Sequence, residues 1–225
     1  MIRALALALW GTVLLQSYAS GRLDLLLRGL FHPLVAVSGL LLLALALQQA
    51  IAGIRGAAGR PNPGQRSVPW PRLLSAAMAI AVLVLPPSPS FSQLAASRPT
   101  DLPVEGELSF VLPPAKRSLT DWVRLLRSQP DPQLYAGDPV RISGFVLQPP
   151  GEPPQLARLL VRCCLADATP VGLPVRWPRG TRPKADQWLE LRGRMGVEAL
   201  RGQDRSVVIA ESVRPIPRPR RPLEP

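Results

Sequence analysis

Trp188-Leu189-Glu190-Leu191-Arg192-Gly193-Arg194-Met195 alternates apolar and polar residues along its length. A strand sends successive side chains to opposite faces, so Leu189, Leu191 and Met195 face a core while Glu190, Arg192 and Arg194 face water. Four more segments read as strands: Val140–Leu147, Gln155–Leu165, Val171–Trp177 and Ser206–Val213. Gly137-Asp138-Pro139 and the proline-rich run Pro149–Pro154 supply turns. Five short strands in roughly 75 residues predict a small all-β, OB-like barrel, or a related sandwich, over residues 135–213. Gly144 and Gly193, inside strands, permit the sharp coiling of a small barrel.

One short helix precedes the strands. Ser118-Leu119-Thr120-Asp121 is a capping box, with Ser118 as N-cap and Asp121 reaching back. Leu119, Trp122, Val123 and Leu126 make one apolar stripe, which leaves Arg117, Arg124 and Arg127 to face out. Gln129-Pro130-Asp131-Pro132 ends it. Residues 93–134 are thus an extended entry plus this helix. Residues 214–225, rich in Pro and Arg, predict a disordered or extended tail.

Residues 1–92 read as a transmembrane region. Pro33–Ile54 has no charge and a leucine-rich centre, and as a helix it spans about 33 Å. Residues 4–18 form a shorter apolar segment of about 23 Å. It resembles a signal peptide, but the long apolar span close behind favours a retained helix. A third apolar segment covers about 71–90. The reading is membrane α, with about three N-terminal transmembrane helices at 4–18, 33–54 and 71–90. Arg55–Arg72 carries Arg55, Arg60, Arg66 and Arg72 and no acid, which places that loop in the cytoplasm. The β domain then lies on the exoplasmic or periplasmic side of an inner or plasma membrane. His32, the only histidine, is expected at a helix entrance in the interface.

The net charge of +12 divides evenly: the first 97 residues hold one acid and seven arginines, the rest 14 acids and 20 bases. The basic residues are 25 Arg and two Lys, scattered outside the tail, so no nucleic-acid partner is expected. A solvated or lipid-facing basic surface is the expectation instead. There is no Gly-rich phosphate loop, nucleophile elbow or His-based triad, and the chain does not read as an enzyme.

Chemistry concentrates in Leu159-Leu160-Val161-Arg162-Cys163-Cys164-Leu165-Ala166-Asp167-Ala168, which holds both cysteines. Strand alternation puts Cys163 in the core and Cys164 beside Arg158 and Arg162, whose charge would favour a Cys164 thiolate. Three readings stand. The thiols are small buried hydrophobes; or Cys163, Cys164 and Asp167 bind a metal ion with help from a partner; or the pair is redox-active, although Cys-x-x-Cys spacing is absent.

The chain resembles the YcgQ-like family of predicted permease subunits. The likeness is carried by Tyr135-Ala-Gly137, Val140-Arg-Ile-Ser-Gly144-Phe145-Val146, Ala157–Ala168 with its Cys-Cys-x-Ala-Asp-Ala run, Pro170–Leu173 and Gln187–Gly193. Tyr18-Ala-Ser-Gly21, the long second span and Leu85-Pro-Pro-Ser-Pro extend it into the first half. The resemblance implies an accessory subunit beside a multi-span permease, in a bilayer, with a link to metal-ion handling. Many members carry a His-rich linker after the second span; Arg55–Arg72 has no histidine. A stand-alone membrane-anchored β binding module and a thiol-redox membrane protein are the alternative readings.

Overall fold

Leucine and alanine dominate the first 56 residues, and both are strong helix formers. They build α1 (Ile2–Ala19) and α2 (His32–Gly56), with α3 (Trp70–Val84) completing the first unit. The computed structural model describes residues 2–56, 70–85, 88–98, 112–149, 151–200 and 202–224. The chain divides into two units, Met1–Ser88 and Pro89–Pro225.

In the first unit, α1 packs against both α2 and α3. Small residues set the approach of α1 to α2. A Cβ on Gly11 would lie 3.0 Å from the Gly39 carbonyl oxygen, and one on Gly39 would lie 3.2 Å from the Gly11 carbonyl oxygen. Backbones approach this closely most readily where both positions lack side chains. On the other side of α1, Trp10 Nε1 donates to Ser75 Oγ of α3 at 2.9 Å. Two 3-10 turns, Arg22–Leu25 and Gly29–Phe31, join α1 to α2. His32 contacts the Leu27 carbonyl oxygen at 3.3 Å through Nε2.

Of three expected spans, one meets the length and composition needed to cross a bilayer among the described residues: Gly29–Ile54. Ala4–Ala19 and Leu73–Val84 are apolar but shorter. The third segment, expected to reach about residue 90, leaves the helix after Val84. Pro86 and Pro87 follow, and proline disfavours the α conformation in the residue before it. Most of the basic loop on which the expected orientation rests, residues 57–69, lies outside the described residues.

The second unit begins with α4 (Phe91–Ala96) and α5 (Leu119–Ser128). The strands are β1 (Pro139–Leu147), β2 (Gln155–Leu160), β3 (Thr169–Arg176), β4 (Trp188–Leu200), β5 (Gln203–Pro215) and β6 (Leu223–Glu224). Pairing runs β1-β4-β5-β3-β2, and a further β1–β2 pairing closes the ring into a five-stranded barrel, compatible with an OB-like fold. Ile142 pairs with Leu191, Met195 with Val208, Leu156 with Leu173 and Phe145 with Ala157, all antiparallel. β3 and β5 are parallel, with Val175 opposite Val208. Glycine makes the closure possible at two crossings. A Cβ at Gly144 would sit 2.5 Å from the Ala157 carbonyl oxygen, and one at Gly193 2.0 Å from that of Ile209. The Gly193 crossing coincides with a β-bulge between Arg192 and Gly193.

Two apolar clusters hold this unit. One lies inside the barrel: Leu156, Val171, Leu173, Leu189, Leu191 and Met195 meet Leu119, Trp122 and Val123 of α5. The α5 capping box forms as its sequence predicts, with Ser118 and Asp121 bonded reciprocally. The other cluster lies on the outer face, where Phe91 and Ala95 of α4 cover Phe145, Ala157, Leu159, Val161 and Trp188. Both faces of β2 are therefore buried.

Two expectations change here and a third is narrowed. Arg117, expected to face out, is buried: its Nε donates to the Leu112 carbonyl at 2.8 Å, its Nη1 lies 3.4 Å from Asp138 Oδ2, and its guanidinium stacks 4.6 Å from the Trp122 ring centroid. Of the two forms expected for the Pro/Arg tail, disordered or extended, the extended one occurs at its end: β6 runs parallel to β2, pairing Leu223 with Leu159 and Glu224 with Leu160. Finally, the cysteines are outside any strand, because β2 ends at Leu160.

Candidate functional site: the Cys163–Asp167 loop

β2 stops where its neighbours change. Its pairing with β1 covers Gln155–Ala157. Beyond that, β6 takes over, and the Val161 amide donates to the Glu224 carbonyl at 2.8 Å. The chain then bends through Arg162 and Cys163 into a 3-10 turn, Leu165–Asp167, and re-enters the barrel at Thr169.

Asp167 organises this loop. Its carboxylate accepts the backbone amides of Arg162 at 3.0 Å, Cys163 at 2.8 Å and Cys164 at 3.4 Å. Burial acts to raise its pKa, but hydrogen bonds from the Cys163 thiol and these amides outweigh burial and hold it below the ordinary carboxylate value. From outside the loop, Arg98 Nη1, just past α4, donates to the carbonyls of Ala166 at 2.6 Å and Ala168 at 2.9 Å. Ala168 itself is buried. The loop is thus pinned at both ends to barrel and helix.

The expected division of the cysteines, one inward and one outward, does not occur. Cys163 is exposed and Cys164 half-buried. Alternation assumes a continuing strand, and the strand has already ended. Freed from it, the two sulfurs turn to the same side, Sγ to Sγ 3.5 Å. One carboxylate oxygen of Asp167 and both sulfurs lie within 4.8 Å of one another. The structure therefore gathers Cys163, Cys164 and Asp167 into one cluster. Arg158, expected beside Cys164, turns away. It is buried, bonds Ser143 through its backbone oxygen and Oγ, both at 2.8 Å, lies 3.4 Å from Glu224 Oε1, and stacks 4.9 Å from the Trp188 centroid.

The Cys163 thiol is pushed up to about 12, first by its hydrogen bond to Asp167 and then by that to Cys164. It stays a neutral thiol at physiological pH. A nucleophilic or redox cysteine needs the opposite, a stabilised thiolate. What the cluster offers is two sulfurs and a carboxylate converging from a pinned loop, a donor set that suits a thiophilic cation.

Sequence reading missed Arg98 and the β6 strand. No local signal marks Arg98, since its partners lie some seventy residues on. The amide cradle had a signal: a carboxylate placed four residues past Cys163 can fold back on the preceding amides.

No curated protein and no solved structure matches the chain. Residues 116–223, which take in α5, the five barrel strands and the Cys163–Asp167 loop, match the DUF1980 C-terminal domain, and this barrel segment therefore goes with an uncharacterised family.

Proposed function

We propose that this chain is an integral-membrane accessory subunit of a multi-span permease, with its three N-terminal helices in the bilayer and its OB-like barrel on the exoplasmic side. One observation carries the reading. The helical unit directs its leucines outward: Leu34, Leu40, Leu41 and Leu47 of α2 and Leu73, Leu74 and Met78 of α3 are all exposed. Soluble proteins rarely leave so large a contiguous apolar surface uncovered, whereas lipid or a partner's helices cover it without cost. α1 and α3 are short by themselves. The Gly11–Gly39 contact ties α1 to α2 and the Trp10–Ser75 hydrogen bond ties α3 to α1, which supports insertion of all three as a packed unit.

In this reading the permeation path belongs to the multi-span partner. Purification in mild detergent followed by mass spectrometry tests this. A co-purifying multi-span protein supports the subunit reading; a lone monomer overturns it. Labelling of Cys163 by a membrane-impermeant thiol reagent, compared at mildly alkaline pH between intact and permeabilised cells, tests the side on which the barrel sits.

A second reading, a stand-alone membrane-anchored binding module, draws on one feature of the barrel. A groove of about 370 Å³ is lined by Arg141, Ile142, Ser143, Glu190, Arg214 and Ile216. Glu190 sits between two of its arginines, accepting from Arg141 at 2.8 Å and Arg214 at 2.6 Å.

A further inference from the structure

We propose that Cys163, Cys164 and Asp167 form an open binding site for a thiophilic divalent ion of the zinc type. The proposal rests on the barrel unit alone and stands independently of the permease reading.

The spacing of the sulfurs comes first. Two thiolates on one tetrahedral ion, with Zn–S bonds of about 2.3 Å, lie about 3.8 Å apart. The Cys163 and Cys164 sulfurs are already 3.5 Å apart. Adjacent residues of a regular strand cannot achieve this, because their side chains point to opposite faces. The end of β2 at Leu160 and the bend at Arg162 and Cys163 are what bring them together.

The third donor is fixed in advance. Asp167 is oriented by the amides of Arg162, Cys163 and Cys164. Such hydrogen bonds to a ligating carboxylate are the outer shell that holds a metal ligand in place. Arg98 clamps the carbonyls of Ala166 and Ala168, on either side of Asp167. The Val161 amide is held by Glu224 where the loop begins. Much of the entropy cost of ordering the donors is therefore met by folding.

Chemistry then selects the ion. Thiolates favour zinc-like and cuprous ions over magnesium and calcium, which prefer all-oxygen sites with more ligands. On binding, each thiol releases its proton to solvent, and two sulfur–metal bonds form with no change of oxidation state. Two thiolates and a carboxylate bring three negative charges to a divalent ion. Three protein donors leave one tetrahedral corner open. Cys163 is exposed, so that corner faces solvent and accepts water or a donor from another molecule. A closed structural site has four protein donors; an open one suits capture and release.

The test uses the full chain in detergent, reduced, with Co²⁺ as an optical probe. Wild type is expected to bind one equivalent, showing a thiolate-to-cobalt charge-transfer band and the visible bands of tetrahedral cobalt, both erased by Zn²⁺ and unaffected by Mg²⁺. Cys163→Ser and Cys164→Ser, at solvent-accessible positions, should each keep the barrel's melting transition and greatly reduce the band. Asp167→Asn, which keeps one of the two amide-accepting oxygens, should weaken Co²⁺ binding about ten- to a hundredfold. Absence of the band in wild type with both thiols titratable overturns the site, as does a band that survives the two serine substitutions combined. Unchanged affinity in Asp167→Asn removes Asp167 from the ligand set.

Discussion

Single side chains decide several features of the barrel, and Glu190 is one that can be titrated. Hydrogen bonds from Arg141 first, and from Arg214, hold its carboxyl below the ordinary glutamate value. A carboxylate with a depressed folded-state pKa contributes stability above its unfolded value, about 4.3 for Glu, and loses it as pH falls through the lower folded value. Wild type should therefore melt above Glu190→Gln at neutral pH, and the two should converge in acid below about pH 4. Thermal melts across that range check this; coincident melts at neutral pH would count against it. Trp122 acts through packing and through the Arg117 guanidinium stacked on its ring. It is fully buried among α5 and barrel residues, so Trp122→Ala should cost about 3–5 kcal/mol, read as a lowered denaturant midpoint for the barrel. Both effects were foreshadowed by local pattern: Trp122 on the apolar stripe of a capped helix, Glu190 on the polar face of an alternating strand. The Cys163–Asp167 cluster was legible only as a set of residue types. Its geometry depends on where β2 ends, and Leu159-Leu160-Val161 stays apolar past that point.

At the scale of elements, β6 is the clearest case of structure that composition conceals. A Pro/Arg-rich segment has too few apolar residues to suggest a packed strand, yet it is held by contacts from distant parts of the chain. Leu223 packs against the outer cluster, Arg218 stacks 4.8 Å from the Phe91 centroid, and Thr120 hydrogen-bonds Glu224. Two of these partners lie more than a hundred residues away, so no window of sequence shows them. Removing residues 217–225 should destabilise the barrel by about 2–4 kcal/mol, because buried Arg158 loses its carboxylate partner and the Val161 amide its acceptor. Denaturant titration of the truncated chain measures it, and an unchanged midpoint would sink the assignment. The truncation should also loosen the metal loop at Val161, weakening Co²⁺ binding. Helices fared differently. α5 declared itself through its cap and stripe, and α2 through length and hydropathy. The end of α3 at Val84 was misplaced because the residues beyond it stay largely uncharged, and an apolar tally alone does not weigh the prolines.

For the whole molecule, the two units rest on different forces. The barrel hides its apolar surface inside itself and under α4; the helical unit presents it outward. The close contact of Gly11 and Gly39 makes the helical unit sensitive to bulk. Gly39→Leu should separate α1 from α2, seen as loss of a single detergent-solubilised species in size-exclusion chromatography, while the barrel's melting transition stays put. A variant that elutes and melts like wild type would argue against the packed three-helix unit. The two units also differ in when they can form. α1 and α2, neighbours along the chain, pack directly on each other, and α3 packs on α1. The barrel closes only when Pro139 meets Arg194 and when Val175 lies alongside Val208 in parallel. Long loops must be ordered before these pairings are rewarded, and barrels of this kind fold in roughly milliseconds to seconds, well behind helical bundles. The parallel β3–β5 seam thus acts as a clock: during that delay the Cys163–Asp167 loop, which exists only because β2 has found both neighbours, is unformed and its thiols are open to chance oxidation or stray metal.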